Sequence, residues 1–214
     1  MGKDLPKEVV VKVLQNPVWS MLYDQETKKL ILDCRNEESN YVEISKLDLQ
    51  SLELTELNLR MSWREKLISA SNDMLYSVKY EDQNDPTRIV ISQFDVRSGK
   101  TSQMEAAPDL PSNIIEPSFF DSGSDFHRLV MEFLAIDLAL PCEYLEYENF
   151  IIISYYLRSE KGFDRFLLLL KEGEKVWKLR QDHLMKGFAP GAFFVAENML
   201  VFVRDRNEVC ISIL

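Results

Sequence analysis

The feature of this chain that most limits how it can fold is a register that recurs along it. Four short apolar segments, Leu30-Ile31-Leu32, Leu75-Tyr76-Ser77, Ile151-Ile152-Ile153 and Leu200-Val201-Phe202, are each preceded, seven positions before their start, by Tyr23, Ile68, Tyr144 or Phe193. Polar turn residues lie between the partners: Asp24 to Thr27, Ser71 to Asp73, Glu148-Asn149 and Glu197-Asn198. Apolar runs on either side of such residues signal hairpins. Units that repeat at roughly 40 to 50 residues cannot bury their apolar faces singly and must stack on their neighbours. The expectation is an all-β chain, with residues 1–214 forming a single domain around stacked antiparallel units.

The first unit reads as Val18 to Tyr23, Lys29 to Asp33, Val42 to Leu49 and Leu52 to Leu57, the last alternating apolar with polar as an exposed strand does. The second repeats the plan with Lys66 to Ala70, Leu75 to Tyr80, Arg88 to Val96 and Lys100 to Met104. The third reads as Tyr144 to Tyr147, Phe150 to Tyr156, Phe163 to Leu170 and Lys175 to Leu179. The fourth has Ala192 to Val195, Met199 to Val203 and Val209 to Leu214, and stops one strand short. Glu8 to Leu14 is an otherwise unassigned strand, expected to supply the missing outer strand and so to close a ring without exposed edges.

The units match most closely in their third strands. Ile44-Ser45-Lys46-Leu47-Asp48-Leu49-Gln50-Ser51 aligns with Ile91-Ser92-Gln93-Phe94-Asp95-Val96-Arg97-Ser98, and Gly99-Lys100 follows the second copy. An aspartate before Ser-Gly suits a turn: its carboxylate accepts bonds from the following amides, and glycine takes the left-handed position. This Asp-x-x-Ser-Gly-Lys turn resembles the one in many β-propeller repeat families. The resemblance spans four units at the level of strands and two at the level of motif, and it implies a fold without an activity. The implied architecture is a small β-propeller of four four-stranded blades, closed by the amino-terminal strand.

About thirty extra residues separate the second and third units, in an insertion at about 106–142. Pro108, Pro111 and Pro117 make its start loop-like, and Asp121-Ser122-Gly123-Ser124-Asp125 continues it. Phe126, Leu129, Val130, Phe133 and Leu134 then fall at helical spacing, ended before Pro141. A rival reading makes Arg128 to Ile136 a strand of a fifth blade. A third gives a β-sandwich or open sheet with 106–142 covering an edge.

Charge narrows the partners. Lysine and arginine number 25 against 35 acids, a formal net charge of −10, which opposes nucleic-acid phosphate and anionic membrane surfaces. The densest basic stretch, Lys171 to Arg180, is interrupted by Glu172 and Glu174, and Arg204 and Arg206 bracket Asp205. Cys34, Cys142 and Cys210 are widely spaced, which fits reduced thiols better than a disulfide framework. The amino terminus lacks a signal-peptide core, Pro6 stands where a myristoylation signal needs Ser or Thr, and the apolar runs are strand length. A cytoplasmic location is the expectation.

Motifs of chemistry are sparse. Gly99-Lys100-Thr101 looks like the tail of a phosphate-binding loop, but Phe94 stands where that loop needs its first glycine, and a strand is expected after it. Asp121 to Asp125 places oxygen ligands at alternating positions without the closing glutamate of a calcium loop. His127 and His183 have no Cys or His neighbour at metal spacing, and no Gly-x-Ser-x-Gly elbow occurs. Trp19, Trp63 and Phe188 precede their second strands by eleven or twelve residues, a recurrence that points to packing. Trp177 is the better candidate for an exposed contact, and Tyr155 and Tyr156 beside Arg158 form either a partner surface or the two faces of one strand.

No catalytic, cofactor-binding or metal-binding residue is therefore assigned. The expectation is a non-enzymatic cytoplasmic module that presents propeller loops to a protein partner. The alternative is a small-molecule or metal-ion site, catalytic or not, at the central channel.

Overall fold

The computed structural model describes residues 8–82, 85–106 and 114–214; Pro108, Pro111 and the first residues of the amino terminus lie outside the described residues. The chain is mostly β, with four antiparallel sheets. It divides into two compact units, Leu14–Asn113 and Met1–Val13 with Ile114–Leu214. The first strand, β1 (Glu8–Val13), belongs to the latter unit.

In Leu14–Asn113, β2 (Val18–Asp24), β3 (Lys29–Asn36), β4 (Tyr41–Asp48) and β5 (Leu54–Leu57) form one sheet in chain order. The next sheet holds β6 (Glu65–Ser71), β7 (Met74–Asp82), β8 (Asp85–Asp95) and β9 (Lys100–Met104), also in chain order. The motif aspartates make the turns. Asp95 Oδ1 accepts from the amides of Arg97 (2.8 Å) and Ser98 (3.2 Å), and Asp48 Oδ1 from those of Gln50 (2.9 Å) and Ser51 (3.0 Å). Gly99 takes the left-handed position at φ 69°, and in the earlier turn Leu52 does so at φ 59°. Lys100 opens β9, so no helix follows Gly99-Lys100 as a phosphate loop requires. The core between the two sheets is Ile31, Val42, Ile44 and Leu57 against Leu67, Leu75 and Phe94, each at most 8% exposed.

In the other unit, β10 (Ile114–Ile115) and β11 (Ser118–Phe120) precede the helix α1 (Asp125–Leu134). Strands β12 (Cys142–Tyr147), β13 (Phe150–Ser159), β14 (Gly162–Lys171) and β15 (Glu174–Met185) follow, then β16 (Phe193–Ala196), β17 (Met199–Arg204) and β18 (Glu208–Ile213). The sheet orders are β11-β12-β13-β14-β15 and β1-β18-β17-β16-β10. The amino-terminal strand does pair antiparallel with β18, Val9 opposite Ile211 and Val10 opposite Cys210.

Four expectations need correction. First, these two sheets have five strands rather than four, because β10 and β11 add to their edges. Second, the rival reading of Arg128 to Ile136 as a strand fails and the helical one stands: Asp125–Leu134 is a helix, started by Ser124 Oγ accepting the His127 amide and ended by Ala135 at φ 52°. Third, the seven-residue spacing is not one structural register. Tyr23 pairs with Leu30, whereas Tyr144 pairs with Ile153 and Phe193 with Phe202, since the first hairpin turn is longer by two residues. Two residues leave the side-chain face unchanged. Ile68 falls in a bulge between Leu67 and Ser69 and is 38% exposed.

Fourth, Tyr155 and Tyr156 on β13 form no partner surface, and Trp177 on β15 is half-buried rather than exposed. Tyr155 and Tyr156 are 1% and 0% exposed, because β13 is covered on both faces. One face packs Ile153, Tyr155, Leu168 and Leu170 under Val130 of α1, and the other packs Ile152, Leu167 and Leu169 against Phe193, Val195 and Phe202. Trp177 also packs on the latter cluster, 6.1 Å from Phe202.

Candidate functional site

The chemistry in each unit gathers where the chain passes from one sheet to the next. Arg35 and Tyr156 both stand six residues after the first residue of the strand that closes a hairpin, Lys29 after β2 and Phe150 after β12. Both reach a linker. Arg35 donates from Nη1 to Trp63 O (2.5 Å) and from Nη2 to Glu65 O (2.6 Å), while Tyr156 Oη donates to Ala189 O (3.1 Å). Each also carries the linker's aromatic ring. The guanidinium carbon of Arg35 is 5.6 Å from the Trp63 ring and 5.2 Å from Trp19, and the Tyr156 ring is 5.6 Å from Phe188. Trp63 and Phe188 thus fill the recurrent packing position seen in sequence. Trp19 packs edge-on against Trp63 at 5.5 Å yet remains 52% exposed.

Arg35 is 5% exposed and needs a counter-charge. Asp33 supplies it two-pronged, at 2.8 Å to Nε and 2.7 Å to Nη2. Every arm of this guanidinium that touches Asp33 or the linker is engaged, which makes the cluster a clamp.

The Tyr156 cluster is more acidic. Glu143, 2% exposed, accepts the Gly191 amide at 2.6 Å and the Ala192 amide at 3.3 Å. Burial pushes its carboxyl above the usual carboxylate range, against the opposing pull of the Gly191 amide and of Arg165. Arg165 donates to Asp182 from Nη2 and to Ala189 O from Nη1 at 3.3 Å. Burial also raises Asp182, with Arg165 opposing it, and raises the Tyr156 phenol. Among the described residues, Arg165 Nε and Asp182 Oδ1 are buried without a hydrogen-bond partner. Gln181, 0% exposed, ties the entry to β16 to β17 by donating to Ala192 O (2.7 Å) and Val203 O (2.9 Å).

Concavities open to solvent occur in both units. A cleft of about 480 Å³ borders β4 and β5, with Glu43, Glu56, Asn58 and Arg60 on its walls. A smaller apolar groove of about 180 Å³ lies between α1 and the β12–β13 hairpin, lined by Phe126, Leu129, Phe133, Tyr144 and Ile151. Leu129 and Phe133 are each 60% exposed beside it.

The histidines and the acidic loop have structural tasks. His127 is 3% exposed; its Nε2 lies 3.0 Å from Leu140 O and its Nδ1 3.4 Å from the Gly123 amide, so Nε2 donates and Nδ1 accepts. Asp121 to Asp125 forms the entry to α1, with the Ser124 amide bonded to Asp121 O at 3.1 Å. His183 lies at the surface, 3.4 Å from Asp205. Among the described residues, no group of three His, Cys, Asp or Glu is placed to hold a metal ion, and no helix is long and apolar enough to cross a membrane.

No family model matches the chain, and no curated protein is similar to it. Among solved structures it is similar to a member of the DUF4221 family from Bacteroides vulgatus, with 11% identity and a TM-score of 0.39 over 98% of this chain and 96% of that one. It is also similar to an acylaminoacyl peptidase from Pyrococcus horikoshii, with 12% identity and a TM-score of 0.25 over 89% of this chain and 36% of that one.

Proposed function

We propose that this chain is a small β-propeller of four blades that acts without catalysis, as an adaptor for a protein partner. The propeller reading is supported by three sheets built of strands in chain order, by linkers clamped at matching places in both units, and by the pairing of β1 with β18 in the fourth sheet. A net charge of −10 favours a protein partner over nucleic acid or an anionic membrane. A cytoplasmic location remains part of this reading.

The observation that carries the interaction reading is the α1 face. Leu129 and Phe133 lie one helical turn apart, are each 60% exposed, and edge an apolar groove. Side chains that large, set beside a groove, suit docking better than isolated exposure does. The test is affinity capture with the intact chain and with the Leu129→Asp/Phe133→Asp variant. A protein retained by the first and lost by the second, with both variants melting alike, supports the reading. Equal retention by both removes α1 from it.

The cleft beside Glu43 favours a second reading, a small polar ligand, because its walls carry both signs of charge in one concavity. A thermal-shift screen against metals, nucleotides, sugars and metabolites separates the two. A ligand at about 100 times its dissociation constant stabilises the fold by roughly 2.7 kcal/mol.

A further inference from the structure

The groove beside α1 is apolar inside and acidic at its rim. Leu129 and Phe133, four residues apart and each 60% exposed, edge it from the helix, and Tyr144 and Ile151 of the β12–β13 hairpin line it from the sheet, with buried Val130 and Ile153 beneath. Its volume of about 180 Å³ lies below the roughly 300 to 1,000 Å³ of pockets that enclose a small ligand. The space suits one large side chain of another protein better than a free metabolite.

Shape then selects the segment that brings this side chain. Helix α1 has 10 residues, a length of about 15 Å, and its Leu129–Phe133 ridge fits between the side chains of a second helix laid along it. An extended segment would need a free sheet edge, but β12 is already paired with β11 from Cys142 to Tyr144.

Charge selects its sign. Glu132 is exposed on the turn that links Leu129 to Phe133. Exposed Glu146 pairs with Ile151, so it leaves the sheet on the groove side, and it accepts the Tyr144 hydroxyl. Neither carboxylate forms an ion pair with a described residue. The nearby cations are engaged: Arg128 donates to Asp125, and Lys178 of β15, two strands beyond β13, sits 4.5 Å over the Phe166 ring. A second copy of this chain would bring a like-charged rim and a further net charge of −10, which opposes pairing through this face.

Resting on the reading of α1 as a docking face, we infer that the groove takes a basic amphipathic helix of the partner protein, which seats one large apolar side chain between α1 and the β12–β13 hairpin and sets Lys or Arg against Glu132 and Glu146. Apolar burial holds such a complex, while the charges choose the partner and speed its encounter.

Two labelled synthetic helices test this against the intact protein by fluorescence anisotropy. Both carry the same stripe of Leu and Phe, flanked by Lys in one and by Glu in the other. The Lys-flanked helix binds about tenfold more tightly at low salt, and the gap narrows at about 0.5 M salt. Glu132→Lys/Glu146→Lys reverses the preference, and Leu129→Asp/Phe133→Asp weakens both helices, with thermal melts confirming that each variant folds. Equal binding of the two helices, no binding of either, or binding unchanged in Leu129→Asp/Phe133→Asp overturns the inference. Dimers of the intact chain in sedimentation that Leu129→Asp/Phe133→Asp abolishes would assign the face to a second copy and overturn it as well. Should Leu129→Asp/Phe133→Asp fail to fold, the two helices and the charge reversal decide alone. The adaptor reading is judged separately by affinity capture, which can retain a partner that is not basic after the Lys-flanked helix has failed.

Discussion

The carboxylate of Asp24 binds the backbone of Asp73, 49 positions later in the chain: Oδ2 accepts the Asp73 amide at 3.1 Å, and Oδ1 accepts that of Asn72 at 3.2 Å. The same carboxylate also closes its own turn through Glu26 (3.1 Å) and Thr27 (3.3 Å). One side chain, 1% exposed, thus joins two hairpin tips. The other unit makes this link at the same place with different chemistry. Tyr147, at the end of the first strand of its hairpin, donates its hydroxyl to Glu197 O in the next sheet's turn.

Removing Asp24 takes the shared acceptor from the amides of Glu26, Thr27, Asn72 and Asp73, so Asp24→Ala lowers stability by about 1.5 to 3 kcal/mol. Asp24→Asn keeps an acceptor oxygen and costs less. Urea midpoints of the three proteins check the order, and equal midpoints would remove the bridge from the account.

The linker clamps differ in charge, and their variants differ accordingly. Arg35→Met strands the Asp33 carboxylate, 1% exposed, and costs roughly 3 to 5 kcal/mol. Asp33→Leu/Arg35→Met removes both charges and costs less than Arg35→Met alone. At the equivalent position Tyr156→Phe strands no charge and costs about 1 to 2 kcal/mol. Tryptophan fluorescence during denaturation reads the first pair directly, since Trp19 and Trp63 flank Arg35.

These clamps explain how far the sequence could be read. Strand order, turns and the Asp95-to-Gly99 motif are local, and hydrophobic alternation with turn chemistry reveals them. Asp33 is only two positions from Arg35, but the linker carbonyls that Arg35 holds and the amides that Glu143 accepts lie 28 to 49 positions away, and no spacing rule joins them. Trp177 does lie on an outer strand, β15, but packs half-buried on the cluster of Phe193 and Phe202. Trp177 and Leu179, two positions apart, pair with Leu169 and Leu167 and pack on one cluster, but no local signal shows that this face of an edge strand is covered by residues from β16 and β17. Tyr155 and Tyr156 looked like opposite faces of an ordinary strand, and so they are, but both faces are covered.

Acid acts oppositely on two groups of carboxyls. Hydrogen bonds from the Ser51 amide lower Asp48, and those from Ser98 lower Asp95; for Asp73 burial pushes upward but Arg97 and Lys46 outweigh it. A depressed carboxyl stabilises the fold above its unfolded titration, near about pH 4, and loses that contribution as pH falls through the folded one. Glu143 is raised, so its contribution is present in acid and declines as pH rises through its folded titration. Asp73→Asn therefore flattens the loss of stability below about pH 4, and Glu143→Gln flattens the decline above it. Urea midpoints across pH measure both slopes.

All three cysteines are buried and free. Burial first, then the charges of Glu43 and Asp33, push the Cys34 thiol up to about 12, and Cys142 stands at about 11. Because the thiolate is the reactive form, these two resist a disulfide reagent at about pH 8 while the protein is folded. Denaturant makes them react at once. Fast labelling of native Cys34 or Cys142 would show that their strands open readily.

The pairing of β1 with β18 predicts what truncation does. Strand β18 carries Val209 and Cys210, each 0% exposed, and on its other side pairs with β17 from Met199 to Arg204. Removing residues 1–13 leaves the β18 edge with unpaired amides and carbonyls over the stretch that faces Glu8 to Val13. Such an edge both weakens its sheet and offers a template to other chains. The truncated protein is expected to melt at a lower temperature and to associate more as its concentration rises, whereas loss of Trp19 alone would leave this edge intact. Thermal melts at two concentrations, with sedimentation of the unheated samples, distinguish these effects. If the truncated chain melts as the full one does and stays dispersed, β1 contributes little to the sheet that it borders.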